Sequence, residues 1–156
     1  MSRVLSLALV GTVFLLTGSG CGGSDPRPET DASEPASAED VAPRASVSIL
    51  EPSQGAEVSG DALTVRMEAV GVEIVPAGAL VPGTGHHHLY LDEDLGEAGV
   101  PVPTVPGRVI HLGTGVSEYT FEGVAPGPHR LIAVVADGLH VPLDPWVVDT
   151  VTFTVR

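Results

Sequence analysis

The chain has 156 residues, 43% of them hydrophobic, which is room for one small domain with terminal extensions. Seven basic residues, all Arg, face 20 acids for a net charge of −13, and a surface of that sign repels polyanions. Nucleic acid is therefore excluded as a partner, as is electrostatic docking to anionic lipid.

The first segment, MSRVLSLALVGTVFLLTGSGC, has Arg3 as a positive lead, Val4 to Leu16 as an apolar run, and small residues before Cys21. The run is too short to span a bilayer, so residues 1–20 read as an export signal. The segment resembles a bacterial lipoprotein signal, with Gly18 where such signals usually carry Leu. That resemblance implies cleavage before Cys21 and lipidation of its thiol and amine. Gly22, standing where Asp would retain a lipoprotein at the inner membrane, implies outer-membrane sorting in a Gram-negative host. The expected location is thus the cell envelope, with membrane contact through lipid on Cys21. Acylation of this sole cysteine leaves the mature domain without a disulfide, a thiolate ligand or a cysteine nucleophile. Residues 22–44 hold six acids, two Arg, and much Pro, Ser and Ala, a composition that buries too little surface to order itself. Residues 21–44 read as a lipidated tether and 45–156 as the folded domain.

From Ala45 onward the dominant period is two. SVSI places Val47 and Ile49 on one face, ALTVRMEA does the same with Leu63, Val65 and Met67, and EYTFE with Tyr119 and Phe121. TVTFTV closes the series with Val151, Phe153 and Val155. Gly, Pro and Asp punctuation in EPSQG, VPGTG, APGP and DPW separates the strands. About seven short strands so spaced predict an all-β fold, an antiparallel β-sandwich of the immunoglobulin or fibronectin type. The loop 93–107, EDLGEAGVPVPTVPG, is either a lid or a surface excursion. In GVAPGPHRLIAVVADG, His129 occupies the corner position where such sandwiches carry an aromatic residue that hydrogen-bonds back to the backbone.

All six histidines fall between residues 86 and 140, three of them consecutive in GTGHHHLYLDED. On a strand from residue 86, alternation puts His86, His88 and Tyr90 on one face and His87, Leu89 and Leu91 on the other. His87 therefore reads as a core or strand-end residue. Residues two apart on a strand are about 6.6 Å apart, close enough for His86 and His88 to converge on one ion with bonds of about 2.0–2.1 Å. If strands 109–112 and 129–136 both run opposite to strand 86–92, His111 and His140 return to the same pole. Asp137 joins them as a carboxylate that would orient an imidazole, and His129 goes to the far pole. Neutral imidazoles of this kind suit Cu(II) or Zn(II). Met67 faces inward, which speaks against a thioether Cu(I) site. Affinity for the ion is expected to fall as the imidazoles protonate near pH 6.

The order VEIVPAGALVPGTGHHHLYLD, VIHLGTG, GVAPGPHRLIAVVADGLHVP resembles an uncharacterised bacterial family of exported domains, catalogued as domain of unknown function 4399. The family pattern falls on Ala77, Gly78, Gly85, His86, His87, His88, Asp92, His111, Gly113, Gly127, His129, Asp137 and His140. The resemblance implies a domain boundary and a motif, and no activity. A weaker likeness, in architecture alone, is to copper-zinc superoxide dismutases, which also carry a His-x-His strand. The leading expectation is an envelope module that binds a divalent metal through His86, His88, His111 and His140, for buffering or delivery. The competing one is a non-catalytic module that contacts an envelope protein partner and whose histidines are structural. A metal-dependent redox enzyme ranks last: there is no nucleophile elbow, phosphate loop or HExxH, and Asp92 and Asp94 sit in what reads as an exposed turn.

Overall fold

A computed structural model describes residues 43–156; the signal, Cys21 and nearly all of the tether lie outside the described residues. Nine strands form in chain order: β1 (Ser46–Glu51), β2 (Glu57–Val58), β3 (Leu63–Val70), β4 (Glu73–Ile74), β5 (Thr84–Leu91), β6 (Val109–His111), β7 (Glu118–Phe121), β8 (Gly127–Ala136) and β9 (Val148–Val155). They make two sheets. One has three strands in the order β1-β3-β7, and the other runs β2-β9-β8-β5-β4 with β6 also paired to β5.

The alternating strands behave as their period requires. Val47, Ile49, Leu63, Val65, Met67 and Phe121 from the smaller sheet meet Leu89, Leu91, Leu131, Ala133, Val151 and Phe153 from the larger in one buried core. Each such side chain, fully buried, contributes about 1.5–3 kcal/mol, and no disulfide is needed to hold the two layers together.

The expectation of a wholly antiparallel sandwich of about seven strands needs correction. β2 pairs with β9 in parallel (Glu57↔Thr154, Val58↔Val155), and so does β4 with β5 (Glu73↔Thr84, Ile74↔Gly85). Both extra strands are two residues long, too short to show any period. The result is a mixed six-stranded sheet.

Strands β5 and β8 depart from half-buried alternation: every residue from Gly85 to Leu91 and from Leu131 to Ala136 is buried. Both faces of these central strands are covered. The inner face meets the smaller sheet. On the outer face Tyr90, Val109, Ile132 and Val134 form a second apolar cluster under Leu95, Val102, Val105 and Trp146. Loop 93–107 is thus a cover packed on the sheet, anchored by Val105 bridging Val109, and no mere excursion.

Candidate metal centre

Strand β5 sorts its three histidines by alternation. His87 faces the inner core with Leu89 and Leu91, fully buried, its Nε2 3.4 Å from the Ser117 hydroxyl and its Nδ1 without a partner. His86 and His88 face the outer side and are 1% and 2% exposed, yet no apolar side chain replaces them there. An uncompensated buried polar atom costs about 1–3 kcal/mol, so three adjacent buried imidazoles are not what stability alone selects.

Two more rings come from neighbouring elements. β6 runs antiparallel to β5 in the register His88↔His111, so His111 stands beside His88 on the same face. On the other side of β5, β8 pairs His86 with Ala136, and the chain then turns back at Asp137. The Asp137 carboxylate accepts the N–H groups of Leu139 (2.8 Å) and Val141 (3.0 Å), and its carbonyl accepts that of His140 (2.9 Å). This closed turn holds His140 at φ 70°, in the left-handed region that a non-glycine residue seldom adopts. Asp137 therefore positions His140 through the backbone, and its bonded oxygen is spent on the turn.

The four rings converge. All six centroid separations among His86, His88, His111 and His140 lie between 4.5 and 5.7 Å. The Nε2 atoms of His86 and His88 are 2.9 Å apart, and those of His111 and His140 are 3.2 Å apart. Nitrogens around a tetrahedral ion with bonds of about 2.0–2.1 Å stand about 3.3–3.4 Å from one another, close to these two spacings. His86, His111 and His140 form a group whose ligand atoms all lie within 4.8 Å, and these three can hold a metal ion. His88, Asp137 and His129 are not in that group; His88 Nε2 nonetheless stands 2.9 Å from His86 Nε2, whereas His129 lies at the far end of β8, opposite Phe153.

The electrostatics favour neutral rings. Burial, and then the neighbouring His111 and His140, lower the His86 pKa from 6.5 to about 4 against the opposing pull of Asp137. Burial and the surrounding imidazoles take His88 to about 3, and burial takes His87 to about 4. His111 is lowered as well, by its partial burial and then by His140. At neutral pH His86, His88 and His111 thus offer lone pairs without first losing a proton. A loss of affinity on protonation would accordingly set in below pH 6 for these three rings.

Sequence reading missed what braces the two outer rings. The Ala77 N–H bonds the carbonyl of Gly113 (3.0 Å), the Gly78 N–H that of Gly138 (3.2 Å), and the Val102 N–H that of His140 (2.8 Å). One short loop, 76–79, thereby clamps both the segment after His111 and the turn before His140. Gly138 allows that approach, since a Cβ there would lie 2.0 Å from the Ala79 carbonyl oxygen. The sequence signals were a glycine two residues from each ligand, in HLGTG and ADGLH, and Ala77 and Gly78 of the family pattern, none of which disclosed the clamp.

At the opposite pole the corner expectation holds. His129 gives its Nε2–H to the Ala125 carbonyl (2.7 Å), as a corner aromatic would. Its Nδ1 meets the Asp92 carboxylate (2.7 Å), which also accepts the Arg130 backbone N–H (2.9 Å). Burial alone would lower the His129 pKa, but two acceptors, Asp92 and Ala125, hold it above its ordinary value. A cleft of about 450 Å³ opens there, but His129 and Asp92 are already committed to each other.

No curated protein matches the chain. Among solved structures, the endo-beta-1,4-mannanase from Thermotoga petrophila is similar at 16% identity and a TM-score of 0.46, over 77% of this chain and 21% of that one. An engineered protein is similar at 13% identity and a TM-score of 0.41, over 72% of this chain and 20% of that one. The chain spans about a fifth of the length of these structures. Residues 65–156, which include every histidine, match a domain of unknown function (DUF4399), and the chain belongs to that family.

Proposed function

We propose that this protein is a lipid-anchored envelope module that binds Cu(II) or Zn(II) through His86, His88, His111 and His140, for buffering or delivery. The carrying observation is the convergence of four imidazoles, from a strand, its neighbour and a braced turn, with Nε2 spacings of 2.9 and 3.2 Å. His88 completes the three-histidine group as the fourth ligand, and the set is all nitrogen, which suits these two ions. Export and lipidation rest on the N-terminal signal and Cys21, and the lipid then supplies the whole membrane attachment. The two packed layers and the His129 corner bond support a variant immunoglobulin or fibronectin-like sandwich with two parallel edge pairings. The protein acts by holding the ion, not by catalysis.

A second reading, a non-catalytic contact module for an envelope protein, has one observation in its favour. Leu80, Val81 and Leu139 are 60%, 51% and 55% exposed on the segments flanking the histidine pole. Calorimetric titration of the full chain, free of any polyhistidine tag, with Zn(II) and separately with Cu(II) decides between them. Stoichiometric binding that disappears in the His86→Ala, His88→Ala double variant is the expected result. Equal binding by that variant, or none by the native chain, would leave the histidines as architecture.

A further inference from the structure

The rings do not close off the centre on all sides. His86 and His88 are buried, whereas His111 is exposed and His140 half-buried. A pocket of about 270 Å³ lies against this open side. His88, His111 and His140 form one wall of it, and Pro101, Pro103 and Thr104 of the covering loop form another. Pockets for drug-sized ligands begin at about 300 Å³, so this space is that of a small ligand.

Charge argues for the kind of molecule. The group that can hold an ion contains no carboxylate, and the neighbouring Asp137 spends its bonded oxygen on the N–H groups of Leu139 and Val141. A divalent ion held by neutral imidazoles carries a double charge that Asp137, outside the group yet near enough to pull on His86, offsets only in part, in a partly desolvated place where uncompensated charge is costly. The remaining wall is proline, valine and the Thr104 hydroxyl, which offers no competing charge. A small anion is the ligand that both fits the space and offsets the charge.

Resting on the metal-binding reading, we infer that the centre, besides its four histidines, keeps an exchangeable fifth coordination position facing this pocket, and that the position takes a small monovalent anion. The histidines hold the ion from the sheet side. The loop residues 101–104 set the size of what reaches it from the other.

The test loads the tag-free full chain with one equivalent of Cu(II) and titrates it with sodium azide, reading the azide-to-copper charge-transfer band and the electron paramagnetic resonance spectrum. Thr104 is exposed, so Thr104→Trp narrows the pocket without entering the core. The expected result is a saturable azide band in the native chain, weakened about tenfold or more in Thr104→Trp, with Cu(II) affinity equal in both. Stoichiometric Cu(II) binding with spectra indifferent to azide would overturn the open position and leave the metal site standing. Azide binding of equal strength in both proteins would overturn the assignment to this pocket. Failure to bind Cu(II) at all would overturn the metal reading and this inference together.

Discussion

Replacing Gly113 by Ala perturbs the centre while leaving every imidazole in the chain. A Cβ at this position would lie 2.3 Å from Cε1 and 2.5 Å from Nε2 of His111, against ordinary contacts of 3.4–4 Å. The ring must retreat by about 1 Å, several times the roughly 0.2 Å tolerance of a metal–nitrogen bond. The backbone offers no objection, because Gly113 is not in the left-handed region. His111 is exposed, so its ring swings into solvent at little cost to the fold, and the expected change in stability is within about 0.5 kcal/mol. Loss of support for a ligand typically weakens metal affinity about 10–100-fold, and Gly113→Ala should fall in that range for Zn(II). Calorimetric titration beside a thermal melt of the metal-free protein separates the two effects, with His111→Ala as the reference for complete loss of that ligand. An unchanged Zn(II) affinity would refute the reasoning, since the ring would then have no need of the place the glycine leaves it.

The buried histidines make the metal-free chain acid-sensitive. Folded pKa values near 4 for His86 and His87 and near 3 for His88, below the ordinary 6.5, give stability that is complete above pH 6.5 and lost as pH falls toward 4. Each is worth a few kcal/mol against a typical total of about 5–15, so urea midpoints should drop steeply between pH 7 and 5; a flat profile would refute it. His129 has the opposite sign: its raised pKa gives stability present below pH 6.5 and lost as pH rises through the raised value. Asp92→Asn should cost about 1–2 kcal/mol at pH 6, less at pH 9, and leave Zn(II) binding intact. An equal cost at both pH values would show that His129 is not charged in the fold. His129→Ala should likewise lower stability and retain Zn(II) affinity, and metal loss in that variant would mean that the two poles communicate.

Much of this was legible in the sequence, for a physical reason. Period-two alternation in residues 63–67 and 151–155 reports a strand with one wet face, and those residues alternate between buried and exposed, with Thr154 half-buried. The same rule separated His87 from His86 and His88, because a strand has only two faces. The parallel edge pairs were not legible, since two residues carry no period and their pairing depends on distant chain. Nor was the ion pair of Asp92 with His129, which are 37 positions apart, although LDED had drawn attention as an exposed turn. Asp137 was found by its place in the chain, but its part in the turn was not: a carboxylate three residues before a histidine can orient the ring or close the turn, and only the backbone geometry shows the second.

The two halves of the centre differ in how firmly they are held. His86 and His88 ride on a strand bonded along both edges, while His111 ends a three-residue strand and His140 sits in a turn. An ion seated among them would therefore leave in a set order. A competing chelator arriving from solvent meets His111 and His140 first and can take over those two bonds while the sheet still holds the other two. On the proposed function the ion would never need to be free, and would load and unload through one face of the protein.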